Sequence, residues 1–217
     1  MKRLIVAAAL VAGVLCGSSS VQATSLAPGK TVKPKTATLA DGSIVDSGST
    51  TITVGGDTTT LLYAAYKESV SGMIDYLYQI VNSSKSTDSV LAFSNTDFTG
   101  LNTSVYNVSP KDSNLSGSIF DTSGSVKATK ASRPTKANGG RTVGFFFLKG
   151  DGIDPGSSSV ILEIQTNSTS VKQGTTSILG VGTVTTFAAT PEPASVMLLG
   201  GCFVGLGGAF GWRRWRA

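Results

Sequence analysis

The chain has no histidine, and its two cysteines, Cys16 and Cys202, lie in the apolar stretches near its two ends. A body without either residue excludes a Ser-His-Asp triad, a cysteine nucleophile, a zinc site of the usual ligands and any disulfide. Charge is scarce as well. Of 18 Lys and Arg and 13 Asp and Glu, six (Lys2, Arg3, Glu192, Arg213, Arg214, Arg216) belong to the terminal segments, which leaves 13 basic and 12 acidic side chains between Thr24 and Thr190. The formal net charge of +5 is therefore carried mostly by the ends. With a near-neutral body, nucleic-acid binding loses its main electrostatic support.

Both ends read as targeting segments. Lys2 and Arg3 precede an apolar run from Leu4 to Leu15, followed by small polar residues to Ala23. Val21-Gln22-Ala23 predicts passage through the general secretion machinery and cleavage by signal peptidase between Ala23 and Thr24. A lipoprotein signal ending at Cys16 is disfavoured by Leu15, where a small residue is required. The apolar run is also short for a membrane helix. At the other end, Pro191 and Pro193 hold Glu192 on an extended segment. Ala194 to Trp212 is 19 residues without charge, enough to cross a bilayer core as one helix. Arg213, Arg214 and Arg216, beside Trp212 and Trp215, form a basic stop at the cytoplasmic interface.

This order of motif, span and stop resembles the PEP-CTERM sorting tail of Gram-negative bacteria. The resemblance implies that exosortase, a membrane-embedded cysteine protease, reads Glu192 and removes the tail. Anchoring in the inner membrane is then transient, and the body passes to the cell surface or extracellular matrix. A simple C-terminal anchor is the rival reading, although Gly200, Gly201, Gly205, Gly207, Gly208 and Gly211 make the span weakly hydrophobic and helix-poor.

Between the ends stand about 167 residues rich in Ser, Thr and Gly, enough for one domain with its own core. The proline-interrupted start, with spaced lysines and no periodicity, predicts a flexible segment over 24–45. Beyond it, short β-branched and aromatic runs recur between turn residues: 51–54, 61–66, 73–81, 89–93, 105–108, 118–120, 142–148, 158–165, 170–172 and 177–187. They predict an all-β fold, a single jelly-roll-like β-sandwich over 46–189. Ser69–Val81 fits both helical and alternating periods; Gly72 and its Tyr, Ile and Val content favour a strand. Gly72 to Asn82, Phe98-Thr-Gly-Leu101 and Pro155 to Asn167 resemble the bodies of certain PEP-CTERM surface proteins, which are β-rich and uncharacterised. That resemblance implies a structural or adhesive role in an exopolysaccharide layer, as in a biofilm.

Candidate chemistry is sparse, and neither enzyme activity nor a cofactor nor a metal is expected. Asp75, Asp88, Asp97, Asp121 and Glu163 are the carboxylates available for glycoside hydrolysis. Asp151 and Asp154 bracket a turn that offers oxygens to Ca²⁺, without the further ligands of a known loop. Lys127, Lys130, Arg133, Lys136 and Arg141 crowd one glycine- and proline-containing stretch, 127–141, which reads either as a contact for acidic exopolysaccharide or as an ordinary solvated loop. Tyr63, Tyr66, Tyr76 and Tyr78 are further candidates for carbohydrate. Thr51, Thr53, Thr183 and Thr185 suggest an ice-binding ladder, but no repeat extends it. Asn82, Asn102, Asn107, Asn114 and Asn167 stand in glycosylation sequons.

Overall fold

The computed structural model describes residues 24–135, 139–147, 152–179 and 182–189. The signal segment with Ala23, the tail with Pro191, Glu192, Pro193, Arg213, Arg214 and Arg216, and the residues Lys136 and Asp151 lie outside the described residues. The fold is all-β. Its strands are β1 (Thr31–Val32), β2 (Lys35–Ala37), β3 (Gly42–Val54), β4 (Asp57–Glu68), β5 (Ile74–Asn82), β6 (Ala92–Asn95), β7 (Thr103–Val108), β8 (Lys130–Ser132), β9 (Val143–Phe146), β10 (Ile161–Thr166), β11 (Val171–Ile178) and β12 (Gly182–Ala189). One six-stranded sheet runs β2-β7-β10-β5-β4-β3 and the other β1-β8-β9-β6-β11-β12. The pairs are antiparallel except β2 beside β7.

The sheets face each other across one core. Tyr76, Tyr78, Ile80, Leu162 and Ile164 of the first meet Phe93, Phe145, Val143 and Ile178 of the second. Tyr78 and Phe93 carry the contact between sheets, with ring centroids 4.9 Å apart. A second apolar cluster covers the opposite face of the first sheet, where Leu39, Leu115 and Phe120 lie on Tyr66, Leu77, Tyr106 and Ile161. The cover is the excursion between β7 and β8, which holds a single 3₁₀ turn, Ser113–Leu115, capped by Asp112. Strand β5 is therefore buried on both faces. Burial of both faces is why its sequence lacks clean alternation and mimics a helix.

Several expectations need correcting. The segment over 24–45 is no free linker: β1 joins one sheet, β2 and β3 the other, and Leu26 and Leu39 enter the cores. Ser118–Phe120 forms no strand; it closes over the first sheet, with Phe120 buried. The run 177–187 divides into β11 and β12, which pair as a hairpin from Ile178↔Gly182 outward. Strand β8 lies inside the supposed loop 127–141.

Candidate functional site

The predicted basic patch comes apart in three dimensions. Arg133 is 1% exposed. Its guanidinium donates to the carbonyls of Gly140 (2.6 Å) and Leu101 (2.9 Å), to Thr103 Oγ1 (3.2 Å) and to the Phe98 carbonyl. It ties the 98–103 segment to the Gly140 turn at one end of the sandwich and is closed to solvent. Arg141 pairs with Asp97 at 2.5 Å. Lys130 lies over the Phe146 ring, 5.5 Å from its centroid, on the outer face of the second sheet. Lys127 is exposed, with Nζ donating to Thr36 Oγ1 at 3.2 Å.

Lys127 instead joins lysines that are distant in sequence. A cleft of about 580 Å³ is lined by Lys33, Lys35, Thr36, Asn107, Lys127 and Thr129. A neighbouring cleft of about 300 Å³ shares Thr36, Asn107 and Lys127 and adds Lys111. Together they form one groove. The parallel register Lys35↔Tyr106 and Thr36↔Asn107 sets the first wall. Asn107 builds the floor, donating from Nδ2 to the Ala128 carbonyl (3.0 Å) and accepting the Ala128 N–H at Oδ1 (3.1 Å). That two-point clamp holds Lys127 beside Thr36. Below it, Val126 accepts from the N–H of Val160 at 2.9 Å.

The electrostatics of the groove are one-sided. Lys33, Lys35, Lys111 and Lys127 are exposed. Neither cleft is lined by a carboxylate, and among the described residues none pairs with these four lysines. Ammonium groups on flexible stems, set among hydroxyls, suit spaced anionic groups along a chain better than one planar anion. No aromatic ring lines either cleft, so stacking on a sugar face is not part of the design. Sequence reading missed Lys33, Lys35 and Lys111; the spaced lysines before residue 40 were the available signal, and the β2–β7 pairing supplies their meaning.

The carboxylates sort differently. Asp75 and Glu163 come together on adjacent strands, on the covered face of the first sheet. Both are buried, at 0% and 3% exposed, and Asp75 oxygens meet no donor at hydrogen-bond geometry. Burial, then the neighbouring Glu163 and Glu68 charges, pushes Asp75 up to about 9. Burial, then Glu68 and Asp112, pushes Glu163 up to about 8. Neither lines any of the described clefts, so no sugar reaches them there. Asp88 is exposed, and Asp121 is held low by the Ser158 hydroxyl and the Ser123 N–H. Asp154 accepts from Ser89 at 2.6 Å. Among the described residues no group of three or more acidic or sulfur ligands is placed to hold a metal.

The remaining candidates divide by burial. Tyr66, Tyr76 and Tyr78 are fully buried core residues, which removes them as carbohydrate contacts; Tyr63 is half-buried. Thr51 and Thr53 belong to β3 in one sheet, Thr183 and Thr185 to β12 in the other, so they make no single array. Asn82 and Asn107 are buried, whereas Asn102 and Asn167 are exposed and touch, with Asn167 Oδ1 accepting the Asn102 N–H at 2.9 Å. No protein-family model, no curated protein and no solved structure matches this chain.

Proposed function

We propose that this is an exported surface or matrix protein whose β-sandwich holds an acidic exopolysaccharide in the lysine groove. The observation that carries the reading is the convergence of Lys33, Lys35, Lys111 and Lys127 on one groove without a carboxylate. Four unneutralised ammonium groups raise the local concentration of a polyanion, and the hydroxyls around them replace part of its hydration. The role is structural and adhesive, with no bond made or broken. Delivery follows from the targeting ends: a signal peptide cleaved after Ala23, and a PEP-CTERM tail in which Glu192 is read by exosortase. A jelly-roll-like winding belongs to the same reading, supported by the chain passing from sheet to sheet between β5 and β11.

The test is retention of the full chain, in mild detergent, on an immobilised polyuronate beside neutral dextran. Retention is expected on the polyuronate alone, lost as the Debye length contracts from about 10 Å at 0.1 M salt to about 3 Å at 1 M. The variant Lys33→Gln/Lys35→Gln/Lys127→Gln should pass through unretained. Equal retention on dextran, or a triple variant that binds as the parent does, would sink the reading.

A further inference from the structure

Strand β3 ends its sheet, so one row of its backbone groups has no strand beside it. The hairpin tells which row. Gly55 and Gly56, with φ of 62° and 101°, form a two-residue turn closed by the pair Val54↔Asp57. In such a turn the closing pair exchanges its hydrogen bonds, and bonded pairs alternate from there. Gly48, Thr50, Ile52 and Val54 thus bond to β4, while the N–H and C=O groups of Ser47, Ser49, Thr51 and Thr53 point outward. The Ser47 N–H is satisfied by its neighbour, Asp46 Oδ1, at 2.8 Å. The other three donors are left for a partner strand.

Sheet edges are ordinarily blunted by charge, proline, a bulge or shortness. On β3 the register shift between Ile44 and Asp46 and the Asp46 carboxylate protect one end only. From Ser47 to Gly56 there is neither charge nor proline. The opposite edge of the same sheet, β2, is only 3 residues long. Thr51 and Thr53 already pair their hydroxyls with Thr60 (2.9 Å) and Thr58 (3.1 Å), giving the exposed face a flat, hydroxylated surface.

We propose that β3 pairs antiparallel with β3 of a second copy of this chain, about a two-fold axis at Thr51. The row is complementary to its own reverse. Ser49 of one copy faces Thr53 of the other, and Thr50 faces Ile52. Asp46 of each falls opposite Gly56 of the other, which keeps the two carboxylates at opposite ends. The contact is isologous and closes at a dimer through this edge, because the two-fold axis uses the β3 row of both copies. Two sandwiches joined in this way carry two lysine grooves.

The test places single cysteines on β3 of the full chain, with Cys16→Ser and Cys202→Ser removing the native thiols. On the axis, Thr51→Cys sets the two Cα atoms about 5.5 Å apart, within disulfide range. Ser47→Cys sets them about 27 Å apart and should cross-link at least about fivefold less. In the cysteine-free chain, light scattering should report a dimer that Ser49→Lys converts to a monomer, because the two new ammonium groups crowd one edge. Uniform cross-linking along β3 would overturn the proposal, and so would a monomer at every concentration. A dimer indifferent to Ser49→Lys would place the association away from β3 and overturn it as well, as would adducts with other proteins in place of the homodimer.

Discussion

At Arg133 a cation is buried with only carbonyls and a hydroxyl around it. Burial pushes its guanidinium down from the usual value, yet its planar fork of donors satisfies oxygens of the 98–103 segment and of the Gly140 turn at once. Arg133→Met removes the charge but leaves those carbonyls without donors, and should cost about 2–4 kcal/mol in urea unfolding. Arg133→Lys should recover little, since one ammonium cannot span the same acceptors. Asp75 and Glu163 make the opposite case. Their surroundings are Tyr66 and Glu68 of β4, Gln165 of β10, Tyr106 of β7 and Asp112 of the covering excursion. Both acids stay protonated in the fold to about 9 and about 8, whereas the unfolded chain ionises them near pH 4. Their contribution is therefore complete below about pH 4 and is lost as pH rises toward 8–9, on the order of 1 kcal/mol per pH unit for each acid. Urea midpoints should fall from pH 5 to pH 8, and Asp75→Asn should flatten that slope. A rise in midpoint over the same interval would contradict the burial of this pair.

Elements follow from pattern where one face is wet, and resist pattern where both are dry. Of the β3–β4 hairpin the sequence showed only the runs 51–54 and 61–66; the strands extend back to Gly42 and from Asp57 to Glu68. By contrast β5, covered on both faces, showed apolar residues at two periods at once. Ser118–Phe120 has strand composition but serves as a lid, because Phe120 reaches the covered face from a turn. The short strand β8 was hidden among lysines and small residues, since three residues carry too little periodicity to read. Close packing of backbones is equally invisible in the sequence. At Gly124 a Cβ would overlap the carbonyl oxygen of Ser159 and the amide of Gln79. Gly124→Ala should therefore cost about 1–3 kcal/mol. It should also weaken polyuronate retention, because Gly124 lines the groove three residues before Lys127. Unchanged retention in a destabilised variant would separate the groove from this packing.

For the whole molecule, the groove is assembled from residues 33–36, 107–111 and 122–129, which share no run of sequence. The basic stretch 127–141 looked like a site because its charges are neighbours along the chain. Folding buried Arg133, paired Arg141 with Asp97 at the same end of the sandwich, and set Lys130 over Phe146 on the outer face of the second sheet. The sorting tail is tested at this scale. In the native host, the wild type is expected to leave the inner membrane with an intact mass lacking the residues beyond the Pro191 region. Glu192→Ala should stay anchored with Arg216 present. If both keep the tail, a permanent anchor replaces the sorting reading. The sequence by itself determined the all-β class, the single body and the missing catalytic chemistries, because composition, local period and turn residues act over a few neighbours. Only the tertiary structure decided which lysines meet, which carboxylates lose their water and which strand is left at an edge. Those outcomes depend on strand order and register, and therefore on contacts between residues 70 or more positions apart, such as Thr36 with Asn107.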